Sequence, residues 1–362
     1  MEKSIDLALN SFPTTPHSLR AEPSIDAPKP DIHIDLASLY HHYYFDKHGK
    51  APLNPDPAQF EQLQYLGPGD HFRITGDGLG FTTASRRNMS SELGHAFCRK
   101  FLHDHADIVY FAHIEHVLRR SIHPGFGGLT VSRAPLTGDA PDYFCAESVD
   151  KIFLAEAKGR HEAVGFQKKE FGEWRKQFTR VVVKDGSGTA RKMKGFIVAT
   201  RFAVESKPKT RSCIYAEDPE SPGERPLSHD ESPNLGSAII ALHYSDIARK
   251  LNQPILAEAL GLGFITPPEI QFPATVWELQ IGPFAGRRYI GGYYPSAHGI
   301  VRARSHDGKI TFLPDDPFRL DTGRATFLGL EEKIFGQLVG IARGGPAPSD
   351  GGPPVRTVYP FL

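Results

Sequence analysis

The stretch that most constrains the fold is residues 141–159, PDYFCAESVDKIFLAEAKG, in which two apolar runs flank a short polar segment. Apolar runs of this length, separated by a few turn-forming residues, predict two antiparallel strands joined as a hairpin. If residues 148–150 form a three-residue loop, the register places Asp142 directly opposite Glu156. The sequence therefore predicts two carboxylates at the open end of one hairpin.

A lysine belongs to the same cluster. Glu156 and Lys158 are separated by one residue on an apolar strand, so their side chains leave the same face. Cross-strand partners lie about 5 Å apart at Cβ, close enough for Asp142 and Glu156 to hold one divalent cation. A lysine beside that cation can orient a water or offset charge on a phosphorane-like transition state. Asp150 is a rival acid, but a turn position takes it away from Glu156.

This pattern resembles the PD-(D/E)XK nuclease superfamily: a Pro-Asp pair ending at Asp142, thirteen residues, and then Glu156-Ala157-Lys158. The resemblance covers roughly residues 88–204. It implies an α/β fold with a restriction-endonuclease-like core, a central mixed sheet flanked by helices. It also implies that the two carboxylates and the Ala157 carbonyl hold Mg²⁺ or Mn²⁺, and that the lysine is catalytic.

The resemblance extends to the helices on either side of the hairpin. Many members add an acidic residue from the preceding helix, and Glu92 matches that position best, with Glu115 as second choice. Some members carry a glutamine on the following helix. Gln167 fits that position better than Gln177, because it is expected to share a face with the aromatic residues there. Glu92 and Gln167 are therefore predicted to assist the site.

The distribution of charge points to a polyanionic ligand. Lys plus Arg and Asp plus Glu both number 42, which excludes a generally basic binder, yet residues 158–211 hold fifteen basic and five acidic residues. A local net charge of +10 in a neutral chain is typical of phosphate-backbone binding. The residues predicted to contact the substrate are Lys168, Lys169, Arg175 and Lys176. A solvated basic helix face is the structural alternative.

Composition along the chain suggests four segments. Residues 1–87 are predicted to form an N-terminal arm and accessory region, of which residues 1–34 are Pro-, Ser- and Thr-rich and expected to be loose. The nuclease-like core is assigned to 88–214, and the acidic, Pro-rich stretch 215–233 to a surface loop. Residues 234–362 are predicted to form a C-terminal α+β accessory region that packs on the core.

Periodicity predicts the secondary structure. Helices are expected from Ser90 or Ser91 onward and at 107–120, about 165–180, 236–251, 253–261 and 324–342. Strands are expected at 129–134, 142–146, 151–157, 180–184, 195–204, 274–281, 287–293 and 299–304. Residues 35–48 are aromatic enough to pack but fit either helix or strand, and 344–354 are expected to be loose.

A second metal chemistry stays open. HisAspHisAlaAsp, with His103 and His105, resembles the HxHxD opening of metallo-β-lactamase-type hydrolases, whose histidines bind zinc. His113 and His116 could share a helical face with such a site. That motif normally follows an apolar strand and continues with another histidine, whereas an amphipathic helix precedes it here and Ile108 follows.

The expected function is a metal-dependent nuclease that hydrolyses phosphodiester bonds, with DNA favoured over RNA by the resemblance. Defence against phage, antibacterial toxicity and repair are all compatible with it. The alternatives are a non-catalytic nucleic-acid-binding protein and a zinc hydrolase. The region 215–362 is expected to recognise substrate shape, a partner protein or a second copy, and its aromatic stretch 287–294 could stack bases. With no apolar run near 18 residues and no CxxC pair among three cysteines, a cytoplasmic protein without a membrane partner or disulfide framework is expected.

Overall fold

The chain forms two compact units in the computed structural model. The first comprises Met1–Lys47 and Glu61–His243, and the second comprises His48–Phe60 and Tyr244–Leu362. The structure describes residues 2–48, 60, 62, 65–123, 126, 128–191, 193–219, 233–280, 284–295, 302–304, 310–312 and 325–345.

The first unit is built on a seven-stranded sheet with helices packed on it. Its strands are β1 (Glu2–Asn10), β2 (Asp31–Asp35), β3 (Tyr110–His113), β4 (Thr130–Arg133), β5 (Tyr143–Ala146), β6 (Ile152–Arg160), β7 (Val181–Lys184), β8 (Ala190–Arg191), β9 (Gly195–Arg201) and β10 (Cys213–Glu217). Its helices are α1 (Leu36–Lys47), α2 (Thr83–His105), α3 (Ile114–Arg120), α4 (Lys169–Gln177) and the start of α5 (Pro233–Lys250), with short 3-10 helices at His17–Leu19 and Phe178–Arg180.

The central sheet is mixed. Its strand order is β2-β1-β10-β9-β6-β5-β3, in which β1 runs parallel to β10 and β6 parallel to β9, while the other neighbours are antiparallel. Strands β4, β7 and β8 form a separate three-stranded sheet. The predicted α/β class with a central mixed sheet and flanking helices is confirmed.

Apolar side chains of the hairpin hold α4 on one face of the sheet. Phe144, Ala146, Ile152 and Leu154 belong to one buried cluster, together with Phe171 of α4. Alternate residues of a strand point to the same face, so positions 152 and 154 also define the face on which Glu156 and Lys158 lie. The core therefore anchors the strand from which the candidate site residues project.

The N-terminal region differs from its prediction as a loose arm. Strand β1 lies inside the central sheet beside β10, and β2 pairs with it on the other side. The alternation of buried Ile5 and Leu7 with more exposed neighbours is the pattern of a half-buried strand. Residues 35–48, which fitted either element, contain α1. The compact unit thus begins far ahead of the predicted core boundary at residue 88.

Two predicted helices before the hairpin have different bounds. Helix α2 begins at Thr83 and not at Ser90, because Thr82 caps it by accepting a hydrogen bond from the Ser85 amide. The segment 107–120 divides into β3 and α3, since the first four residues of the apolar pattern pair with β5. Here tertiary pairing overrides a helical spacing of apolar residues.

Two later segments also differ. The predicted acidic loop 215–233 starts inside β10, which lies between β1 and β9, and its residues 220–232 lie outside the described part of the chain. The predicted helix 324–342 is a strand followed by a helix. In both cases an apolar run joins a sheet whose other strands come from distant sequence.

The second unit contains the end of α5, α6 (Pro254–Leu262), β11 (Val276–Glu278), β12 (Arg288–Pro295), β13 (Arg302–Arg304), β14 (Ile310–Phe312), β15 (Ala325–Glu331) and α7 (Glu332–Ala342). Strands β11, β12 and β15 form an antiparallel sheet, and β13 pairs with β14. Within the stretch 287–294, Tyr289 is buried against Phe327, so this tyrosine packs in a core and does not face a base. Among the described helices, none combines the length and apolarity needed to cross a membrane.

Candidate active site

The hairpin has the register that the loop length predicted. Tyr143 pairs with Ala155, and the antiparallel ladder continues to the loop end of the hairpin. One further step places Asp142, the residue directly before β5, opposite Glu156, where β6 extends beyond its pairing with β5. Asp150 lies in the connection at the opposite end of the hairpin, as expected from its turn position.

Hydrogen bonding ties Asp142 to the strand that carries the other two residues. Oδ2 of Asp142 accepts a hydrogen bond from the Ala157 amide at 2.8 Å. Lys158 Nζ lies 4.0 Å from the same oxygen and forms an ion pair with Oε1 of Glu156. The structure thus brings Asp142, Glu156 and Lys158 together.

The Ala157 carbonyl faces the same side as Asp142. In an extended strand, the N–H and C=O of one residue point to the same neighbouring strand. The N–H of Ala157 points to Asp142, whereas the N–H of Leu154 donates to Lys194 ahead of β9 on the opposite side. The carbonyl oxygen of Ala157 is therefore oriented as a third oxygen ligand beside the two carboxylates.

Glu156 lies at the bottom of the site. Its side chain is completely buried, while those of Asp142 and Lys158 are 21% and 28% exposed. Oε2 of Glu156 has no hydrogen-bond donor among the described residues. Burial raises the pKa of Glu156 well above its usual value, and the nearby charge of Asp142 raises it further, against the opposing effect of Lys158.

This electrostatic balance fits a divalent cation. A buried carboxylate oxygen that accepts from no described donor, a second carboxylate close by and a backbone carbonyl form the hard oxygen set that Mg²⁺ and Mn²⁺ prefer. Burial by itself would lower the pKa of Lys158, but the charges of Glu156 and Asp142 outweigh it and raise that pKa. Lys158 is therefore held as an ammonium group beside the acids.

A histidine that the motif does not predict also reaches Asp142. His95 of α2 places Nε2 3.6 Å from Asp142 Oδ1, and its Nδ1 lies 3.2 Å from Asp46 Oδ2. Burial would lower the pKa of His95, but the hydrogen bond and charge of Asp46, and then the charge of Asp142, raise it. The sequence could have indicated His95, because it follows Glu92, the predicted site acid, by three residues and therefore lies on the same side of the helix.

Glu92 has other partners than the predicted ones. Its Oε2 lies 3.1 Å from Lys47 Nζ and 3.5 Å from the Tyr43 hydroxyl, both on α1. In the described part of the chain, no hydrogen bond or ion pair joins Glu92 to Asp142. Glu115, the second choice, is exposed on α3. In place of the expected acid, α2 presents the imidazole of His95 to Asp142.

The glutamine prediction also needs correction. Gln167 lies in the turn before α4, where it is exposed, so it shares no helical face with the aromatic residues of that helix. Gln177, at the end of α4, is buried, and its side-chain oxygen has no donor among the described residues. Helix α4 begins four residues later than about 165, which removes Gln167 from its face.

The four predicted substrate contacts divide into two kinds. Lys168, Lys169 and Lys176 are exposed; Lys176 pairs with a neighbour on its own helix, and Lys168 contacts a backbone carbonyl. Arg175 instead makes a bidentate pair with Glu217, at 2.6 and 2.7 Å. Because Glu217 is 1% exposed, Arg175 has a structural partner and is not a free phosphate contact.

The histidines of the zinc alternative do not converge. His103 bonds to the adjacent Asp104 at 2.9 Å, whereas His105 bonds to Ser18 at 2.9 Å, and both lie in the last turn of α2. His113 points to Asp46, with 3.3 Å between Nε2 and Oδ1. No group of three or more His, Cys, Asp or Glu side chains in the described ranges is arranged to hold a metal ion.

The oxygen set at the hairpin contains two acidic side chains and one backbone carbonyl, so it is smaller than a cluster of three side chains. Its function has to be inferred from this geometry together with the motif. No protein-family model, curated protein or solved structure matches the chain.

Proposed function

We propose that the protein is a metal-dependent nuclease that hydrolyses phosphodiester bonds in nucleic acid, with DNA the favoured substrate. The observation that carries this proposal is the juxtaposition of Asp142, Glu156 and Lys158 at the open end of the hairpin, with a buried oxygen of Glu156 to which no described residue donates. The mixed sheet and the helices before and after the hairpin are compatible with a restriction-endonuclease-like core.

The residues that would hold Mg²⁺ or Mn²⁺ are Asp142, Glu156 and the carbonyl of Ala157. A divalent cation bound there supplies Lewis acidity toward a phosphoryl oxygen and lowers the pKa of a coordinated water. Glu156 contributes a charge that burial has already stripped of solvent, so its interaction with a cation is stronger than at an exposed site. The Ala157 amide holds Asp142 in place against β6.

Lys158 is the positively charged catalytic side chain that the protein supplies in addition to the bound cation. Its ammonium group is fixed by the two acids, yet part of the side chain remains exposed to an incoming substrate. From this position it orients the attacking water and offsets negative charge that develops on the phosphoryl oxygens. Expulsion of the 3′ oxygen is the direction of cleavage that the family resemblance implies.

The substrate is proposed to approach along the start of α4. Arg160 follows Lys158 on the same face of β6, its Nη1 lies 3.7 Å from Glu170, and its guanidinium lies over the ring of Trp174, both on α4. The exposed Lys168 and Lys169 flank this end of the helix. Basic side chains on the same face of the sheet as the carboxylates are the arrangement expected for contacts with phosphates on either side of the scissile bond.

The proposal is tested by incubating purified protein with plasmid DNA, single-stranded DNA and RNA in Mg²⁺ or Mn²⁺. Cleavage that EDTA abolishes and that Asp142→Asn lowers by more than tenfold supports a two-carboxylate nuclease. Cleavage that survives chelation contradicts the mechanism. Tight, salt-sensitive binding without any cleavage would instead identify a non-catalytic nucleic-acid-binding protein.

A further inference from the structure

A buried acid outside the motif organises the surroundings of Asp142. Asp46 lies near the end of α1, and its side chain is 9% exposed. Four groups converge on its carboxylate: the Tyr143 hydroxyl, His95 Nδ1 at 3.2 Å, His113 Nε2 at 3.3 Å and Arg99 Nη1 at 3.7 Å. These groups come from α2, β3 and β5, so a single carboxylate joins the elements around the site.

Asp46 fixes which edge of the His95 ring faces the site. Nδ1 of His95 lies against Asp46 and also 3.1 Å from the Tyr143 hydroxyl. Because a carboxylate only accepts hydrogen bonds, Nδ1 is the donor in this pair. The ring is further held edge-on to the Tyr143 ring, with 5.7 Å between centroids. The opposite edge, with Nε2, is thereby directed to Asp142.

Asp142 is thus approached from two sides. Its Oδ2 is held by the Ala157 amide, and its Oδ1 faces His95. Tyr143 directly follows Asp142 in the chain and donates to Asp46, so the backbone of the acid is tied to the same carboxylate that orients the imidazole. Rotation of either Asp46 or His95 would release one side of the Asp142 carboxylate.

We propose that Asp46 is a positioning residue for the Asp142 carboxylate, acting through the His95 ring and the Tyr143 hydroxyl. This inference rests on the proposed function, since it assigns Asp142 to cation binding. Groups that orient a ligand from behind commonly change metal affinity or activity by about 10–100-fold when replaced. Asp46 is expected to act within that range without touching substrate or cation.

The test compares Asp46→Asn with the matched control Asp104→Asn. Asp104, in the last turn of α2, is also an aspartate that bonds to a histidine, but its described partners, Lys100 and His103, do not contact Asp142. Binding of Mn²⁺ is measured by titration calorimetry on folded protein. We expect about 10–100-fold weaker binding for Asp46→Asn and less than about threefold change for Asp104→Asn.

Two further measurements separate positioning from a general loss of structure. Steady-state kinetics should show a lower kcat for Asp46→Asn with an unchanged KM for DNA, because the exposed lysines are unaltered. In metal-free protein, long-range ¹H–¹⁵N spectra should show a slowly exchanging His95 Nδ1 proton in the wild type and in Asp104→Asn, but not in Asp46→Asn. The signal is assigned by its absence in His95→Gln.

If Asp46→Asn does not fold, Tyr143→Phe carries the test, since it removes one hydroxyl from Asp46 and His95 and keeps the ring. It should weaken Mn²⁺ binding by about three- to tenfold and speed exchange of the Nδ1 proton. Equal Mn²⁺ affinity in Asp46→Asn and the control overturns the inference while leaving the nuclease proposal intact. If the wild type binds Mn²⁺, Asp46→Asn weakens that binding, and neither protein cleaves nucleic acid, the nuclease proposal is overturned and the positioning role is supported.

Discussion

Gly94 of α2 and Gly159 of β6 meet backbone to backbone. A Cβ on Gly94 would overlap the Gly159 amide nitrogen, and a Cβ on Gly159 would overlap the carbonyl oxygen of Ser90. The neighbours of this contact are Lys158 on the strand and His95 on the helix. The close packing of α2 on β6 therefore determines how near His95 comes to the candidate site on the hairpin.

Replacing Gly159 by alanine should destabilise the protein, because the added methyl has to push α2 away from β6. Overpacking of this kind costs about 1–3 kcal/mol and sometimes more, and backbone neighbours leave little room to adjust. The matched control is Gly172→Ala on α4, where an added Cβ meets no atom of the described residues within 4 Å and should stabilise the helix by about 0.5–1 kcal/mol. Urea unfolding measures both; equal stabilities for the two variants would contradict the contact.

Glu156→Gln should stabilise the protein in the absence of metal, most strongly at neutral pH. The folded state raises the pKa of Glu156, so stability is lost as pH rises from the ordinary value of 4.5 through the folded pKa. Glutamine removes this penalty, while Lys158 keeps Asp142 as a partner. We expect Tm to rise by about 2–4 °C at pH 7, with no gain at pH 4, where glutamate is mostly neutral in both states.

Thermal unfolding with and without Mn²⁺ completes that experiment. The cation should raise the Tm of the wild type, because it binds the folded state and neutralises the buried Glu156 together with the partly exposed Asp142. Glu156→Gln should lose most of this increase. A Tm that falls for Glu156→Gln at pH 7, with a normal response to Mn²⁺, would show that the carboxylate is stabilised by its surroundings.

Variants of the hairpin should separate its acids by function. Asp142→Asn and Glu156→Gln are each expected to lower the cleavage rate well over tenfold, since every 1.4 kcal/mol of lost transition-state stabilisation is a factor of ten. Lys158→Ala should reduce cleavage but leave Mn²⁺ binding largely intact. Asp150→Asn, at the loop end of the hairpin, is the control and should behave as the wild type. A dispensable Asp142 with an essential Asp150 would refute the assignment.

Replacing Lys168, Lys169 and Lys176 together by alanine should weaken DNA binding to a similar extent for all sequences. Each lost contact with a phosphate removes about 0.9 from the slope of log K against log salt concentration for duplex DNA. The slope is measured by fluorescence anisotropy over a salt series. Lys151→Ala, at the loop end of the hairpin and paired with Glu147, is the control and should leave the slope unchanged.

Arg175→Ala should act on stability and not on the salt slope. Removing the guanidinium leaves Glu217 buried with Asn10 as its remaining described partner, which is expected to cost about 2 kcal/mol or more. Urea unfolding of Arg175→Ala and Lys176→Ala, adjacent on α4, gives the comparison, because Lys176 is exposed and should change little. If the salt slope falls for Arg175→Ala while stability is unchanged, Arg175 contacts the substrate phosphates, as the sequence predicted.

Local pattern predicted the part of the site that lies on one hairpin. Asp142, Glu156 and Lys158 are separated by at most sixteen residues, and the short polar segment between the two strands fixes their register. The register is a local property because the length of the loop fixes it, and a slip by one residue would move every side chain of the strand to the opposite face of the sheet. The same holds for the mixed α/β class, which follows from the alternation of strand and helix patterns.

What the sequence could not determine is which distant residues reach that hairpin. Asp46 is about a hundred residues from the Tyr143 that donates to it, and β1 pairs with a strand some two hundred residues on. Such contacts depend on the strand order of the whole sheet. Charged residues such as Glu92 and Arg175 could pair with several oppositely charged residues of the sequence. Only the tertiary structure decided that Glu92 bonds to α1, that Arg175 bonds to Glu217, and that His95 stands beside Asp142. The physical reason is that charge and hydrogen bonding are satisfied by the nearest partner in space, and chain distance does not specify that partner.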